Sequence, residues 1–383
     1  MSFGDNGGMT SASHSSASAD PFEGLRIRGV AKTFGADTTV LNEIDLDVHP
    51  GELISLVGSS GTGKSTLLRI IAGLEEPSAG RVTYAGQPLE RGSVGVVFQR
   101  PILYPHLSVK DNILFPTRLG AFAGRVDMDY YRGLLEALKL EGLESRKPSQ
   151  LSGGQAQRVG IARALIRRAP VVLFDEPLAS VDEEMSASIR ADIVRLHERY
   201  GFTGLYVTHD QNEALMLGQR VAVMDAGYLV QVDTPERLLA HPHTLQVAKL
   251  LAAPALNLVT LEDSAVLPVG CELAIRATAL CPVAADAAHS LPVQVLGSRH
   301  LVGGMLYRAR LLEAVSLPLE SGRASADSEL SARMYARVRA GQELEFFIPD
   351  AQGGASLSVG DRVHLGVAAE RCFLFLKGKR FYL

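Results

Sequence analysis

The sequence predicts an α/β fold with a mostly parallel sheet in its first two thirds, followed by a small all-β domain. Two apolar runs, 171–174 and 204–208, have the composition of strands that are covered on both faces. A segment with helical spacing, 185–200, lies between them, and alternating strands and helices are typical of a parallel sheet. Beyond about residue 253 the apolar segments become short and are separated by Gly and Pro, which favours a small barrel or sandwich.

Length and composition narrow the class of protein further. The chain has 383 residues, 46% hydrophobic and 21% charged, which are ordinary values for a globular protein of more than one domain. Its 38 basic and 42 acidic side chains give a net charge of −4, so nothing favours a nucleic-acid partner. The three cysteines include no CxxC pair, which is typical of a reducing compartment. No apolar run reaches the roughly 20 residues of a membrane-spanning helix.

The chain divides into three predicted regions. Residues 1–21 are rich in Ser, Gly and Ala and are predicted to be a disordered tail. Residues 22–253 are predicted to form the α/β domain and residues 254–383 the β-rich domain. Low-complexity stretches within the second domain, 282–289 and 321–328, are predicted loops.

Strands and helices follow one another in a definite predicted order. In the first domain the predicted strands are 25–28, 40–41, 44–48, 52–58, 171–174 and 204–208. The predicted helices of that domain are 65–72, 127–140, 155–168 and 185–200. In the second domain the predicted strands are 293–296, 305–312, 343–348, 362–367 and 372–376. The strand at 52–58 leads through a glycine-rich loop into the helix at 65–72, an order that is typical of phosphate-binding loops.

A phosphate-binding loop is predicted between that strand and that helix. It satisfies GxxxxGK[ST], and its residues are Gly58, Ser59, Ser60, Gly61, Thr62, Gly63, Lys64, Ser65 and Thr66. Glycines let backbone N–H groups point inward, and the helix adds the positive end of its dipole, so the loop can hold the β- and γ-phosphates of a nucleotide. Lys64 should reach those phosphates, and the Ser65 hydroxyl should bind Mg²⁺. A flexible Gly/Ser turn is the alternative interpretation.

Two carboxylates directly after the buried strand at 171–174 are candidates for the chemistry. Phosphoryl transfer needs a carboxylate on the metal side and a group that orients the attacking water. Asp175 would hold the Mg²⁺ shell, and Glu176 would accept a proton from the water. Acidic residues at strand ends are also common as helix caps or in solvated turns. The phosphate-binding loop favours the catalytic interpretation.

The segment Leu151–Gln155, with sequence LSGGQ, restricts the family. It lies 20 positions before Asp175 (175 − 155) and at the head of a predicted helix. Here the chain resembles the ATP-binding cassette (ABC) family, whose signature is this pentapeptide. The resemblance implies that the signature faces the phosphate-binding loop of a partner subunit, so that two ATP molecules are sandwiched between two domains. The residues that it assigns to nucleotide are Ser152, Gly153, Gly154 and Gln155. A serine-capped helix start is the purely structural alternative.

Four further residues match ABC motifs in the family's order. Phe34 matches the aromatic residue that stacks on adenine, and its alternative is an aromatic residue of a strand core. Gln99 matches the glutamine that touches Mg²⁺ and water and links the site to a helical subdomain, expected at about 100–155. Asp182 matches the loop that contacts the partner subunit. His209 matches the switch histidine that bonds the γ-phosphate and positions Glu176, although a lone histidine is usually a polar surface residue.

The resemblance also indicates a branch of the family. The segments 103–109 and 210–214 and the β-rich last third resemble the ATPase subunits of bacterial importers with a C-terminal OB-type (TOBE) domain. This implies an ATPase with ATP and Mg²⁺ as cofactors, with catalysis by Lys64, Gln99, Glu176 and His209 and metal binding by Ser65, Gln99 and Asp175. It also implies a dimer on the cytoplasmic face of the inner membrane, either a homodimer or a heterodimer with a sister ATPase, and the intact motifs of this chain favour the homodimer. The dimer would bind transmembrane permease subunits and indirectly serve a substrate-binding protein. The cargo would be a sugar, a polyamine, iron or a small anion.

Three alternatives remain open from the sequence. One is a non-transport ABC ATPase of DNA repair or ribosomes, although only 86 residues (151 − 65) separate Ser65 from Leu151 and one cassette is present. Another is an exporter ATPase, which usually lacks such a C-terminal domain. The third is that the C-terminal domain senses a ligand or regulatory protein, which is compatible with transport.

Overall fold

A computed structural model describes residues 22–35, 37–118, 126–262, 267–319, 334–352, 356–368 and 371–381. The predicted tail at 1–21 and the predicted loop at 321–328 lie outside these residues. The helices of the described chain are α1 (Lys64–Ile71), α2 (Val109–Leu114), α3 (Met128–Ala137), α4 (Gly153–Leu165), α5 (Glu183–Tyr200), α6 (Gln211–Leu217), α7 (Pro235–Ala240) and α8 (Leu245–Leu250).

The strands fall into an N-terminal and a C-terminal group. In the first two thirds they are β1 (Leu25–Phe34), β2 (Thr38–Val48), β3 (Leu53–Val57), β4 (Ala79–Tyr84), β5 (Gln87–Pro88), β6 (Gly95–Val97), β7 (Val171–Asp175), β8 (Thr203–Thr208), β9 (Arg220–Asp225) and β10 (Tyr228–Asp233). In the last third they are β11 (Leu256–Val259), β12 (Cys271–Arg276), β13 (Leu280–Val283), β14 (Leu291–Leu301), β15 (Gly304–Leu311), β16 (Val315–Leu319), β17 (Met334–Val338), β18 (Glu343–Pro349), β19 (Arg362–Val367), β20 (Cys372–Leu376) and β21 (Lys379–Arg380).

The central sheet confirms the predicted α/β core. Its strand order is β10-β9-β3-β8-β7-β6, and every pair except β9–β10 is parallel. The order places β3, β8 and β7 side by side, with Leu56 opposite Val207 and Leu173 opposite Leu205. Because the carboxyl ends of parallel strands meet at one edge, the segments that follow these three strands meet there too.

A second, antiparallel sheet covers one side of the core. Its order is β2-β1-β4-β5, and apolar residues of β1 and β2 share a buried cluster with β3 and with α1. The cluster includes Ile27, Ile44, Leu56, Leu67 and Leu68. This sheet therefore fixes α1, and with it the end of the predicted phosphate-binding loop, against the central sheet.

The other side of the central sheet is covered by helices of the predicted helical subdomain and by α5. Residues of α2, α3, α4 and α5 share one buried cluster with β7 and β8. The helix predicted at 127–140 is shorter, since Asp127 is its N-cap and it ends at Ala137. The helix predicted at 155–168 begins two residues earlier, at Gly153, because the Ser152 side chain caps it.

The last third is an all-β region, as predicted. Its sheets are antiparallel, with strand orders β11-β12-β20-β21, β13-β19-β14-β15-β18 and β16-β17. One buried cluster spans all three sheets, and Tyr307 stacks on Phe346 within it. The predicted loop at 282–289 is wrong for its first two residues, which belong to β13. Pro282 is tolerated there because β13 is an edge strand, where a missing N–H leaves no ladder partner unpaired.

Helix α8 joins the two cores. Val247 packs with β9 residues of the first domain, whereas Leu245 and Ala248 pack with Phe373 and Phe375 of β20. In the part of the chain that the structure describes, no helix has both the length and the apolar character to cross a membrane.

Candidate nucleotide site

The loop between β3 and α1 is tightly packed against neighbouring strands. A Cβ atom on Gly58 would lie 2.4 Å from the Met224 carbonyl oxygen, and one on Gly63 would lie 2.8 Å from the Val40 carbonyl oxygen. Gly63 also has a φ of +99° at the N-cap of α1. Both positions therefore require glycine, one for close approach and the other also for its left-handed backbone.

Lys64 lies inside this loop. It is buried, and its Nζ donates to the carbonyl oxygens of Gly58 at 2.8 Å and Ser59 at 2.9 Å. Burial lowers the pKa of Lys64, while the nearby carboxylates of Glu176 and Asp175 act in the opposite direction. The loop thus holds a cation at the N-terminus of a helix, an arrangement that suits an anion such as a phosphate.

Asp175 is the last residue of the neighbouring parallel strand β7, and Glu176 follows it. The Ser65 Oγ donates to Asp175 Oδ1 at 3.4 Å, which joins the phosphate-binding loop to this strand end. Burial, and next the adjoining carboxylate of Glu176, raise the pKa of Asp175. Glu176 has a φ of +44°, and its backbone N–H donates to the Val207 carbonyl oxygen at 2.9 Å. This conformation is uncommon outside glycine and is held here by the hydrogen bond to β8.

His209 contacts Glu176 directly. It follows β8, the strand between β3 and β7, and its Nδ1 lies 2.9 Å from Glu176 Oε2. Both side chains remain partly accessible, with exposed fractions of 58% for His209 and 23% for Glu176. The edge of the central sheet therefore brings Lys64, Asp175, Glu176 and His209 together, from segments that lie up to 145 residues apart (209 − 64).

Gln99 lies beside the same edge, two residues after β6. Its side chain is exposed, and its carbonyl oxygen accepts a hydrogen bond from Ser180 Oγ at 3.2 Å. The preceding carbonyl, that of Phe98, accepts one from Gln157 Nε2 of α4 at 3.1 Å. The Gln99 segment is thus tied to the loop after β7 and to the helix that carries the signature.

The donor atoms at this edge suit magnesium. The described residues contain no group of three or more His, Cys, Asp and Glu side chains that could hold a metal alone. Ser65 and Asp175 instead place one hydroxyl and one carboxylate beside the loop. Mg²⁺ prefers oxygen ligands and is usually held by one or two protein groups together with substrate phosphates, so this set fits it.

Phe34 is a surface residue. It ends β1 with 42% of its side chain exposed, and Lys32 Nζ lies 4.9 Å from its ring centroid. The alternative that Phe34 belongs to a strand core is therefore wrong. An exposed ring can stack on a base, which is the role that the resemblance gives it.

Two of the signature residues, Ser152 and Gly153, face away from their own chain, whereas Gly154 is buried. Ser152 and Gly153 are exposed, and a Cβ atom on Gly153 would meet nothing within 4 Å. Ser152 Oγ accepts from the Gln155 N–H at 3.3 Å, and Gln155 Oε1 accepts from the Ser152 N–H at 3.0 Å, which completes a capping box. Asp182 likewise caps α5. The capping alternative for Ser152 is therefore confirmed as local structure, and it is compatible with binding a ligand from outside.

The sequence analysis predicted no role for three polar residues that lie near the site. Gln157, Thr208 and Glu213 are buried, and each bonds a group beside Gln99 or His209. No apolar run marks them in the sequence, because each has a polar neighbour, namely Arg158, His209 or Asn212. Glu213 also lies in the segment 210–214 that resembles importer ATPases.

Comparison with known proteins gives the family. The family model described as ABC transporter matches residues 41–179, which include the phosphate-binding loop and the signature. The sn-glycerol-3-phosphate import ATP-binding protein UgpC 1 of Rhizobium johnstonii is 44% identical over 250 residues, which is 63% of this chain and 67% of that protein. UgpC of Yersinia pestis bv. Antiqua is 42% identical over 252 residues, which is 64% of this chain and 70% of that protein.

A solved structure supports the same assignment. It is cbiO1 from Clostridium perfringens, part of the ABC transporter complex cbiONQ, and it matches with a TM-score of 0.52 and 26% identity. The match covers 58% of this chain and 92% of cbiO1. With the sequence relatives and the site geometry, it leads to one conclusion: the chain belongs to the ABC transporter family and is an ATPase that binds ATP and Mg²⁺.

Proposed function

We propose that this chain is the ATP-hydrolysing subunit of a bacterial importer whose channel is formed by separate permease subunits. The observation that carries the proposal is the meeting of Lys64, Asp175, Glu176 and His209 at the carboxyl edge of β3, β8 and β7. The relatives named above are import ATP-binding proteins, which favours import over the exporter and non-transport alternatives.

Glu176 is the general base of the proposed reaction. Its carboxylate accepts a proton from the attacking water, and the 2.9 Å contact with His209 Nδ1 holds that carboxylate in place. Lys64 and the N–H groups of the loop bind the phosphates and stabilise the charge that develops on them. Mg²⁺ supplies electrostatic stabilisation of the phosphate oxygens when bound, and Ser65, Gln99 and Asp175 would hold it.

Two copies of the chain form the complete site. Each copy offers an exposed Ser152–Gly153 helix start, which suits the far side of a nucleotide held by the partner's phosphate-binding loop. ATP favours the closed pair because it contacts both copies, and hydrolysis removes this preference. Phe34 stacks on adenine, and Asp182 lies in the loop that contacts the partner. The symmetric pair is favoured because one chain carries every motif.

A groove beside the Gln99 segment receives a short cytoplasmic helix of the permease. It has a volume of about 260 Å³ and lies between β6, the 3-10 turn Phe115–Arg118 and α4. Its lining combines aromatic and cationic side chains, namely Tyr104, Phe115, Arg163 and Arg167. Ile102, two residues before Tyr104, is 65% exposed, so apolar surface extends beyond the groove. Closure of the two copies would move the permease helices that are bound in their grooves, and this movement would drive alternating access.

Matched tyrosine substitutions test this docking site. Tyr104 in the groove and Tyr228 on the edge strand β10 are both exposed, at 39% and 54%. We expect Tyr104→Asp to abolish co-purification with the permease and Tyr228→Asp to leave it intact, while both variants keep the ATPase rate of the isolated chain. Equal retention of the permease by both variants would contradict the docking site.

The cargo is proposed to be a phosphorylated polyol, because the UgpC relatives are named for the import of sn-glycerol-3-phosphate. The test is uptake of sn-glycerol-3-phosphate by vesicles that contain this ATPase, its permease and its binding protein. We expect ATP-dependent movement toward the ATPase side, and none with Glu176→Gln. Movement away from the ATPase side would establish an exporter, whereas uptake of a polyamine, iron or another anion alone would change only the cargo.

A further inference from the structure

A buried carboxylate lies behind the His209 loop. Glu213 is in the first turn of α6 and only 7% exposed, and its Oε2 accepts two hydrogen bonds from β8. Tyr206 Oη donates one at 3.0 Å, and Thr208 Oγ1 donates the other at 2.8 Å. A buried carboxylate is costly unless hydrogen bonds or charges compensate it, and these two hydroxyl groups supply part of that compensation.

Thr208 connects that carboxylate to the backbone on both sides of His209. While its hydroxyl donates to Glu213, the same oxygen accepts from the Asp210 N–H at 3.0 Å. Asp210 Oδ1 in turn accepts from the Asn212 N–H at 2.7 Å and from the Glu213 N–H at 3.1 Å. The residues immediately before and after His209 are therefore fastened to the first turn of α6.

The other oxygen of Glu213 faces helix α5. Glu213 Oε1 lies 3.9 Å from Arg190 Nη1, and Arg190 also bonds Glu183 Oε1 at 3.0 Å in the first turn of that helix. Asp182 is the N-cap of the same helix. Glu213 thus joins the strand that ends at His209 to the helix that begins at the predicted partner-contact loop.

We infer that Glu213 is a positioning residue for ATP hydrolysis, acting through the Thr208 hydroxyl to hold His209 against Glu176. The inference rests on the proposed function, because it assumes that His209 matters for turnover. Glu213 itself touches neither nucleotide nor the reacting atoms. A loosened His209 would leave the Glu176 carboxylate without its 2.9 Å partner while leaving the phosphate-binding loop intact. Turnover should therefore fall while ATP affinity stays the same.

Two isosteric deletions separate positioning from simple support of the fold. Thr208→Val and Tyr206→Phe each remove one hydroxyl that donates to the same Glu213 oxygen, but only Thr208 also bonds the Asp210 N–H. We expect Thr208→Val to lower the single-turnover rate of the full chain about tenfold with its KM for ATP within about twofold. Tyr206→Phe should keep the rate within about twofold, although both variants lose thermal stability. Equal rate losses for the two variants would overturn the inference.

Combining the deletion with His209→Ala tests the route through the histidine. If Thr208 acts through His209, Thr208→Val should add no further loss, to within about twofold, in a His209→Ala background. A persistent tenfold loss there would show that the effect bypasses His209 and would overturn the inference. A His209→Ala variant with full activity would instead contradict the proposed role of His209 itself, so the two failures are distinguishable.

A comparison of a conservative and a non-conservative substitution of Glu213 completes the test. Glu213→Gln keeps an oxygen that can accept both hydroxyl hydrogen bonds, whereas Glu213→Leu keeps only the approximate volume. We expect Glu213→Gln to retain at least about a third of the turnover and Glu213→Leu to fall about tenfold or more. If Glu213→Leu does not fold, the comparison of Thr208→Val with Tyr206→Phe still decides. Equal activity of folded Glu213→Leu and Glu213→Gln would contradict the positioning role.

Discussion

Two glycine-bearing helix starts in this chain differ in what surrounds them. At the start of α1, Gly58 and Gly63 pack against neighbouring backbone, and Lys64 fills the loop with hydrogen bonds to its own chain. At the start of α4, Ser152 and Gly153 are exposed, and space is open where a Gly153 side chain would lie. Both starts can bind anions by their N–H groups and dipoles.

The chain thus encloses the helix start that is proposed to hold the phosphates and exposes the one that is proposed to face a partner chain. The α1 end also has the carboxylates and His209 beside it, whereas at the α4 end the side chains of Ser152 and Gln155 accept from each other's backbone N–H in a capping box. A division of this kind suits a site that is completed by a second copy. Four predictions test it, in order of decreasing effect.

The largest effect, on the rate of ATP hydrolysis, is expected at Glu176, beside the enclosed start of α1. Glu176→Gln removes the proposed base while leaving Lys64 and the loop unchanged, so ATP hydrolysis should fall by about 10² to 10⁴ while ATP still binds. The variant should accumulate as a dimer with ATP on size exclusion. Glu198→Gln, an exposed carboxylate on α5, is the control and should keep full activity. A Glu176→Gln chain that stayed monomeric with ATP would count against the shared site.

Mixing two inactive variants tests whether the exposed start of α4 completes the nucleotide site of a partner chain. Ser152→Arg should block the signature, and Lys64→Ala should empty the phosphate-binding loop of its cation. In a mixed dimer one site combines the intact loop of the first chain with the intact signature of the second. Random pairing makes half the dimers mixed, so about a quarter of wild-type turnover should return. No recovery on mixing, or full activity of Ser152→Arg alone, would contradict the division.

Alanine substitutions of the two adjacent signature glycines should differ in their effect on the free energy of unfolding. A Cβ atom on Gly154 would lie 2.6 Å from Met185 Sδ, so Gly154→Ala should lower the free energy of unfolding by about 1 to 3 kcal/mol. Gly153→Ala enters open space and should change it by less than about 0.5 kcal/mol. Denaturant unfolding of both variants measures the difference. If the two values were alike, Gly154 would not be required by packing against α5.

The smallest effect is expected at the capping box. Gln155→Ala removes the acceptor of the Ser152 N–H but keeps the helix, so the free energy of unfolding should fall by about 0.5 to 1 kcal/mol. Gln150→Ala, before α4, is a matched comparison because Gln150 Oε1 likewise accepts from a backbone N–H three residues earlier, that of Lys147. If Gln155→Ala also lowered the ATPase rate of the folded protein while Gln150→Ala did not, Gln155 would contact nucleotide as well as cap the helix.

The local parts of the site could be predicted from sequence because adjacent residues carry them. The loop 58–66 and the pair Asp175–Glu176 follow buried strands, and the strand and helix types were correct around them. Helix ends were less accurate, as at Ala137, because a capping side chain and packing decide where a helix begins and ends. The all-β character of the last third was predicted, but the edge position that admits Pro282 depends on sheet order.

By itself the sequence determined the phosphate-binding loop, the signature and the alternation of strand and helix, since glycine spacing and apolar periodicity act within a few residues. Tertiary structure alone decided that β8 lies between β3 and β7, and thus that His209 contacts Glu176. It also decided that Glu213 lies behind that contact and that Gly153 faces outward. These outcomes depend on which strands pair and which faces are covered, and such long-range choices follow from the burial of the whole chain rather than from any one segment.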